Sequence, residues 1–563
     1  MLLSRSALLP IWHPRGPALL CAAPTEGSTD VTLTSACTST KTIRRTGVAV
    51  LTAGVFVLSG CTSSSTPERE GTAADTTATT AAPTPGGTLT FARTQSPTSL
   101  DLHTEITANN AFAIDKIFEP LLSFNAQGEI EPWLASEYSP SEDGLVWTFT
   151  LRPGVRFSTG DLVTPEDVVY SLNRHIEVGG PLPLDAPITS IEASGTDTVV
   201  ITLSEPYTPF IAELAGFSNG ILPADLGGVD EATFFKNPVG TGPFVVDEWT
   251  EGGDISFTKN VNYWQDGKPY LDELVYKLVQ DDNQLVAQLQ SRQVDVIDSV
   301  ASANVATLEG NSSLTVSTTP SWVVEEIFFN TLDEHFADRD VRRAVSYALD
   351  REGIVAATSF GTAEVAGSVL PPSVPGYDAT IDSLSYDLAG AKASIAASAY
   401  PDGFSTKLLV ASGNTLRAQE AQIVQAQLAE IGITVEIESI DLAAFRERFR
   451  AFDYSFMINS ATSDVADPNG IVSFQADPEG GTNGYWTHYN NPEVTALIAQ
   501  GRTLPDGAER TAVYSEIQAT IAGDAPFIPL SYPSNIKASQ ATVQGLTVLP
   551  NGSVRLQDTW LTK

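Results

Sequence analysis

The sequence predicts a mixed α/β protein of two or three domains. About 500 of the 563 residues follow Cys61, and a single hydrophobic core rarely holds so many. Near the start of this part, the alternating apolar residues of 88–93 predict a β-strand, whereas residues 114–122 carry apolar side chains at helical spacing and predict an α-helix. Strands and helices therefore alternate from the beginning of the globular region.

An export signal precedes that region. Lys41, Arg44 and Arg45 form a positively charged start, and the twelve apolar or small residues 47–58 follow them. This run is too short to cross a bilayer core of roughly 30 Å and is typical of a signal peptide. The Leu-Ser-Gly-Cys sequence at 58–61 resembles the lipobox of bacterial lipoproteins. The resemblance implies that Cys61 becomes the first mature residue and carries the lipid.

The remaining N-terminal residues predict no folded unit. Residues 1–40 show no hydrophobic period, so we expect disorder there or a translation start assigned too far upstream. Residues 41–60 form the predicted signal peptide. Residues 61–87 are rich in Thr, Ala, Ser and Pro and predict a flexible tether. We expect the globular part on the outer face of the cytoplasmic membrane, with the lipid as its only membrane contact.

The chain is strongly acidic. Its formal net charge is −37, and removal of residues 1–60, with five basic and two acidic residues, changes this to about −40. Such a charge repels nucleic acid and anionic lipid surfaces. We therefore expect no nucleic-acid partner.

A run of well-defined elements follows in the first half of the globular part. Residues 134–138 and 146–151 predict two strands separated by an Asp-Gly turn at 143–144. A helix is predicted to begin after Thr164, because this residue can cap the free amides and Pro165 suits the first helical position. The pattern is strand, turn, strand, capped helix.

These elements carry motifs that extend along most of the chain. Residues 147–168 follow the pattern W-x-F-x-L-R-x-G-V-x-F-x-x-G-x-x-x-T-x-x-D-V. Residues 237–244 read NPVGTGPF, and residues 260–272 follow N-x-x-Y-W-x-x-G-x-P-x-L-D. In this order, the motifs resemble those of the family 5 extracellular solute-binding proteins, the peptide, dipeptide and nickel receptors of ABC importers.

The resemblance implies a two-lobed α/β fold of the periplasmic-binding-protein type, class II, with an extra subdomain and a hinged ligand cleft between the lobes. The chain would cross to lobe II near residues 320–322 and return near residues 527–529. The implied segments are 88–126, 237–319 and 528–563 for lobe I, 127–236 for the extra subdomain, and 320–527 for lobe II.

One position in lobe II is the main candidate for ligand binding. Asp464 falls on the aspartate that, in the family, places its carboxylate against the α-amino group of a peptide. A desolvated carboxylate is a good partner for an ammonium ion. Capping of the loop and helix that follow is an equally good interpretation of Asp464, and it is the expected role of Asp467. The family usually has a tryptophan at the position of Ala461, so we expect a wider or different pocket.

Five further residues are candidates for ligand contact. Arg417 could replace the arginine that captures the ligand carboxylate in dipeptide receptors. Asn330 lies in a Phe-Asn pair that matches a family motif. The aromatic candidates for the cleft walls are Trp322, Tyr485 and Trp486, and ordinary packing is an equally good interpretation of each.

The expected function is that of a monomeric receptor that captures a peptide or peptide-like solute and delivers it to an ABC permease with its ATPase subunits. The same fold could instead bind an oligosaccharide, an opine or a metal chelate, or act as a sensory lipoprotein. The chain has no HExxH or CxxC motif, so we expect no catalytic residue, no cofactor and no metal site. Gly240 and Gly242 lack the following Lys-Ser/Thr of a phosphate loop and indicate close backbone approach or positive φ.

Overall fold

The computed structural model describes residues 82–104, 108–180, 182, 184–478 and 483–562, which belong to one compact unit. Cys61, the predicted signal peptide and residues 61–81 of the predicted tether lie outside these ranges. Within the described part, no helix combines the length and the apolar character that a membrane span requires.

The structure is mixed α/β, as the sequence predicts. Its longer helices surround two large sheets and one smaller sheet. These helices are Ala108–Ile117, Pro165–Val178, Asp282–Gln290, Arg339–Ala348, Arg351–Thr358, Leu388–Ala397, Thr415–Ala429, Leu442–Arg450, Pro468–Ala476, Pro492–Thr503 and Ala508–Asp524. Shorter helical segments are Phe210–Leu214, Glu231–Phe234, Val305–Glu309 and Asn483–Trp486.

The first lobe is built on a seven-stranded sheet. Its central strand, Thr88–Arg93, pairs in parallel with Glu273–Leu278 on one side and with Val296–Ile297 on the other. In spatial order, the strands are Leu314–Thr319, Asn535–Gln540, Val296–Ile297, Thr88–Arg93, Glu273–Leu278, Ile255–Lys259 and Phe244–Trp249.

The second lobe is built on a six-stranded sheet. Strand Phe404–Ala411 pairs in parallel with Ile433–Ile440 and with Phe456–Thr462. The carboxyl ends of these three strands therefore lie at one edge of the sheet. In spatial order, the strands are Ala363–Val365, Phe527–Pro533, Val323–Phe329, Phe456–Thr462, Phe404–Ala411 and Ile433–Ile440.

The chain passes between the two large sheets twice. The first passage is at residues 320–322, between strands Leu314–Thr319 and Val323–Phe329. The return is at Ser534 rather than at 527–529, because all of strand Phe527–Pro533 belongs to the six-stranded sheet. Six of its seven residues are buried, so its apolar side chains keep it in the lobe II core despite two prolines.

A four-stranded antiparallel sheet forms the extra subdomain. Helix Pro165–Val178 begins as predicted, since the Asp167 carboxylate accepts hydrogen bonds from the backbone N–H and the hydroxyl of Thr164. In spatial order, the strands are Ala135–Pro140, Val146–Leu151, Thr198–Leu203 and Ile188–Ser194. Three two-stranded pairs complete the β-structure: Leu122–Phe124 with Ile130–Pro132, Val543–Gln544 with Trp560–Leu561, and Thr547–Val548 with Val554–Arg555.

The first helix differs from its prediction. It spans Ala108–Ile117 rather than 114–122, and residues from Leu122 onward form a short strand. The helix ends where residues Gly240 and Gly242 pack against it. A Cβ atom at Gly240 would lie 2.0 Å from the carbonyl oxygen of Ile117, so these glycines serve close backbone approach.

The extra subdomain and lobe II share one hydrophobic core. The rings of Phe124 and Trp322 lie 4.9 Å apart in this core. At another point of contact, Thr208 donates its backbone N–H to the carbonyl oxygen of Arg502 at 2.8 Å and its hydroxyl to that of Leu504 at 2.6 Å. Thr208 thereby satisfies carbonyl groups that the end of helix Pro492–Thr503 leaves unpaired.

Candidate functional site

The candidate site lies at the carboxyl edge of the lobe II sheet. The ends of strands Phe404–Ala411 and Phe456–Thr462 meet there, next to the passage at residues 320–322. Crevices at the carboxyl ends of parallel strands are the usual ligand positions in α/β sheets. Asp464 follows one of these strands by two residues, and Arg417 lies in the first turn of the helix that follows the other.

Asp464 is a carboxylate with no partner among the residues that the structure describes. It makes no hydrogen bond or ion pair with any residue that the structure describes. Its side chain keeps exposed surface, yet the surrounding protein reduces its hydration and raises its pKa to about 6. Exposed surface with weakened hydration is the combination expected of a group that faces an enclosed crevice. Such a group can bind a cation.

Asp467, three residues further on, is fully engaged. Its carboxylate accepts from the backbone N–H of Asn469 at 2.8 Å and thereby caps helix Pro468–Ala476. The guanidinium of Arg510 donates to both carboxylate oxygens at 2.8 Å. This geometry fits the structural role that the sequence predicts for Asp467.

Arg417 lies in a dense hydrogen-bond network. Its Nε and Nη2 donate to the two carboxylate oxygens of Glu325 at 3.0 and 2.9 Å. Nη1 donates to Oδ1 of Asn459, and Nη2 donates also to Oγ of Ser460, both at 2.9 Å. The structure therefore pairs the predicted carboxylate anchor with a carboxylate of the protein itself.

Tyr485 lies within electrostatic range of both Arg417 and Asp464. Its hydroxyl donates to the carbonyl oxygen of Ser460 at 3.0 Å, and its ring packs 5.1 Å from that of Phe328. Burial raises the pKa of the Tyr485 hydroxyl, and the charges of Arg417 and Asp464 act on it as well. The three predicted site residues are therefore brought together at one edge of the sheet.

Trp486 is half-buried beside this group. Its ring lies 6.2 Å from that of Phe449 and 6.0 Å from that of Phe452, and its carbonyl oxygen accepts from the hydroxyl of Tyr454. Tyr485 and Trp486 both have positive φ, at 48° and 63°. Non-glycine residues in this region are strained, and such strain often accompanies binding sites.

Two of the predicted contacts are core residues instead. Trp322 has no exposed surface, and its indole N–H donates to the carbonyl oxygen of Ser373 at 3.3 Å. A side chain without accessible surface cannot form the wall of a cleft. The Asn330 side chain donates to the carbonyl oxygens of Phe452 and Tyr454, both at 3.1 Å. It stabilises the turn after strand Val323–Phe329.

The sequence interpretation missed the acidic residues around Arg417. Glu325 and Glu326 are adjacent in strand Val323–Phe329, and both are buried. Glu420 is also buried, and desolvation followed by the charge of Glu325 raises its pKa to about 8. Two consecutive carboxylates within an otherwise apolar strand are unusual, and this signal could have identified the group.

A different carboxylate, Glu119, is buried between lobe I and the extra subdomain. It accepts hydrogen bonds from the indole N–H of Trp133 at 2.9 Å, the hydroxyl of Tyr263 at 2.9 Å and the indole N–H of Trp264 at 3.0 Å. Burial raises its pKa to about 7. The Tyr-Trp pair of the N-x-x-Y-W motif therefore serves to hold Glu119.

Known proteins share this architecture and sequence. The chain is 28% identical over 455 residues to the glutathione-binding protein GsiB of Escherichia coli K12, covering 78% of this chain and 88% of GsiB. The periplasmic binding protein DppA of Helicobacter pylori, solved with the peptide STSA, matches with a TM-score of 0.77 and 28% identity over 85% of this chain and 99% of DppA. The oligopeptide-binding protein AppA of Bacillus subtilis, solved with a nonapeptide, matches with a TM-score of 0.74 and 26% identity, covering 86% of this chain and all of AppA.

The family model of the bacterial extracellular solute-binding proteins, family 5, matches residues 129–483. This match, more than half of the chain, and the structural similarity confirm the two-lobed α/β fold. They also confirm a binding protein rather than an enzyme, with an extracytoplasmic location. The chain belongs to family 5 of the bacterial extracellular solute-binding proteins.

Proposed function

We propose that this protein is the receptor of an ABC importer and binds a peptide or peptide-like solute between its two lobes, with an amino group of the solute on Asp464. The observation that carries this proposal is the Asp464 carboxylate, which has no partner among the described residues and has a pKa raised to about 6 by desolvation. An ammonium group would supply the missing hydrogen bonds and charge.

The relatives support a ligand of this kind. GsiB is named for glutathione, and the DppA and AppA structures contain peptides. All three ligands carry a free amino group. The bound solute would be delivered to a membrane permease driven by ATPase subunits.

The attachment to the membrane is proposed from the sequence alone. Cys61 would carry the lipid, residues 61–87 would act as the tether, and the receptor would act as a monomer on the outer face of the cytoplasmic membrane. Mass spectrometry of the protein from its native membrane tests this part. The expected result is a lipid-modified peptide that begins at Cys61; an unmodified Cys61 peptide would contradict it.

Mass spectrometry of the solute that co-purifies with the protein tests the ligand. The expected solute has a free amino group. An oligosaccharide or another solute without an amino group would contradict the proposal and favour the non-peptide alternative.

Thermal unfolding with defined peptides provides a second test. A bound ligand raises the unfolding temperature by mass action, and a concentration of 100 times Kd stabilises by about 2.7 kcal/mol. We expect an unblocked tetrapeptide to raise the unfolding temperature and its N-acetyl form to have little effect. Equal effects of the two forms would exclude the contact between the amino group and Asp464.

A further inference from the structure

The ion pair of Arg417 and Glu325 has the geometry with which a guanidinium captures a ligand carboxylate. Two parallel hydrogen bonds of 3.0 and 2.9 Å join Nε and Nη2 to the two oxygens. Paired bonds of this kind are the usual arrangement for an arginine that recognises a carboxylate. Both side chains are mostly buried, with 11% and 8% of their surface exposed.

The remaining contacts hold this arginine in place. Asn459 and Ser460, on strand Phe456–Thr462, accept from Nη1 and Nη2 at 2.9 Å. Ser460 is the register partner of Glu325 in the adjacent strand, so the sheet fixes both groups relative to each other. Rotation of Arg417 toward a ligand would break four hydrogen bonds.

A ligand carboxylate could reach Arg417 only by displacing Glu325. The displaced Glu325 would remain in a poorly hydrated environment without its partner, which is strongly unfavourable. Glu420 lies close enough to interact with both groups electrostatically.

We propose that Glu325 permanently fills the carboxylate-binding position of Arg417, so that the receptor selects its solute by an amino group and provides no anchor for a free α-carboxylate. This inference rests on the proposed function. The solute class is then an amine-bearing, peptide-like molecule whose carboxyl end is blocked or lies outside the site. Small zwitterions such as dipeptides gain nothing from Arg417.

Calorimetric titration of the mature protein with an alanine tetrapeptide and with its C-terminal amide tests this selectivity. For the natural sequence, we expect the two dissociation constants to agree within about threefold, since Arg417 is paired with Glu325 and cannot distinguish the two ends. A preference of more than about tenfold for the free acid would overturn the proposal.

Substitution of the blocking carboxylate should create the missing anchor. In Glu325→Gln, the affinity for the free acid should rise by about tenfold or more relative to the affinity for the amide, because Arg417 becomes available. Glu420 could pair with Arg417 in that variant, so the Glu325→Gln/Glu420→Gln double variant is measured as well. If neither variant gains preference for the acid, the proposal is wrong. The ratio of acid to amide affinity is insensitive to a general loss of stability.

Glu438→Gln is the matched control. Glu438 lies in the same sheet and pairs with Arg448 at 2.7 Å, so its substitution removes one charge from the same lobe. We expect the acid-to-amide ratio to stay as in the natural protein. An equal shift in this control would mean that net charge, rather than the freed Arg417, changes the selectivity, and would overturn the proposal.

A carboxylate without an amino group separates this inference from the proposed function. N-acetylglycine should not bind the natural protein and should bind the double variant saturably. If no tetrapeptide binds but N-acetylglycine behaves in this way, the peptide function fails while the role of Glu325 is supported. Binding of N-acetylglycine to the natural protein would overturn the role of Glu325.

Discussion

Glu119 and Asp464 are both carboxylates whose hydration the fold weakens, but Glu119 is buried and Asp464 keeps exposed surface. The pKa of Glu119 is raised to about 7 and that of Asp464 to about 6, in both cases by desolvation. Glu119 accepts three hydrogen bonds from aromatic side chains. Asp464 accepts none from the part of the chain that the structure describes.

This difference separates a structural carboxylate from a binding one. A raised pKa alone marks both residues and therefore identifies neither role. The surroundings of each group decide. The buried Glu119 carboxylate is satisfied by donors of the protein itself, whereas Asp464 keeps exposed surface and its oxygens stay available to a ligand.

The largest expected effect is on stability, in Glu119→Ala. This change leaves the indole N–H groups of Trp133 and Trp264 and the hydroxyl of Tyr263 without their acceptor. We expect a loss of about 3–5 kcal/mol in the free energy of unfolding, measured by urea denaturation. Glu119→Gln keeps one acceptor oxygen and should cost less. Equal stability of all three proteins would contradict the structural role.

The next effect is on binding, in Asp464→Asn. We expect the affinity for an amino-bearing peptide to fall by about 2–5 kcal/mol in calorimetry, the range for loss of one partner of a desolvated charge pair. The free protein should keep its stability or gain some, because an unpaired carboxylate is removed. Asp467→Asn is the matched control: it breaks the ion pair with Arg510 and should destabilise the protein. If both variants were destabilised, the distinction between Asp464 as a binding residue and Asp467 as a structural residue would be wrong.

The pH dependence of stability tests Asp464 in the ligand-free protein. Its pKa is raised from 3.8 to about 6 in the folded state, so the folded state binds more protons between these values. Stability contributed by this group therefore decreases as pH rises from 4 to 6 and stays low above 6. Asp464→Asn should raise the unfolding temperature at pH 7, and the difference should vanish near pH 4. A difference that is independent of pH would contradict the raised pKa.

The same titration should also govern binding. An ammonium group binds the ionised form of Asp464 only, so peptide affinity should fall as pH decreases through about 6. Titrations from pH 5 to 8 should show this loss in the natural protein, and Asp464→Asn should not show it. A parallel pH profile in both proteins would assign the effect to another group.

The smallest effect is expected at the contact between the subdomain and lobe II. Thr208→Val removes the hydroxyl that donates to Leu504 and keeps the backbone N–H that donates to Arg502. We expect the contact between the subdomain and lobe II to lose about 1 kcal/mol of its stabilising free energy. This loss should appear as faster dissociation of the ligand in stopped-flow experiments. Thr503→Val, which alters an exposed hydroxyl at the same helix end, should leave the rate unchanged. Equal dissociation rates in the natural protein and the two variants would show that this contact does not contribute to ligand retention.

Local patterns in the sequence determined much of this molecule. The cap at Thr164 and the strand at 146–151 were predictable, because capping and alternation depend on neighbouring residues. The first passage between the lobes at 320–322 followed from the family resemblance. The motifs identified the family, and Asp464 followed from its place in a motif. The return at Ser534 was missed because the resemblance placed it near residues 527–529, whereas strand Phe527–Pro533 pairs with Val323–Phe329 and stays in lobe II.

Only the tertiary structure decided what the polar side chains do. Glu325 and Arg417 are 92 positions apart and meet through the register of neighbouring strands. Trp322 and Tyr485 are both aromatic, but only their packing places one in the core and the other beside Asp464. Sequence patterns report periodicity and capping, which are local, whereas the partner of a buried charge depends on contacts between distant segments. The sequence therefore determined the family and the architecture, and the fold decided which carboxylates are paired within the protein and which, like Asp464, have no partner among the described residues.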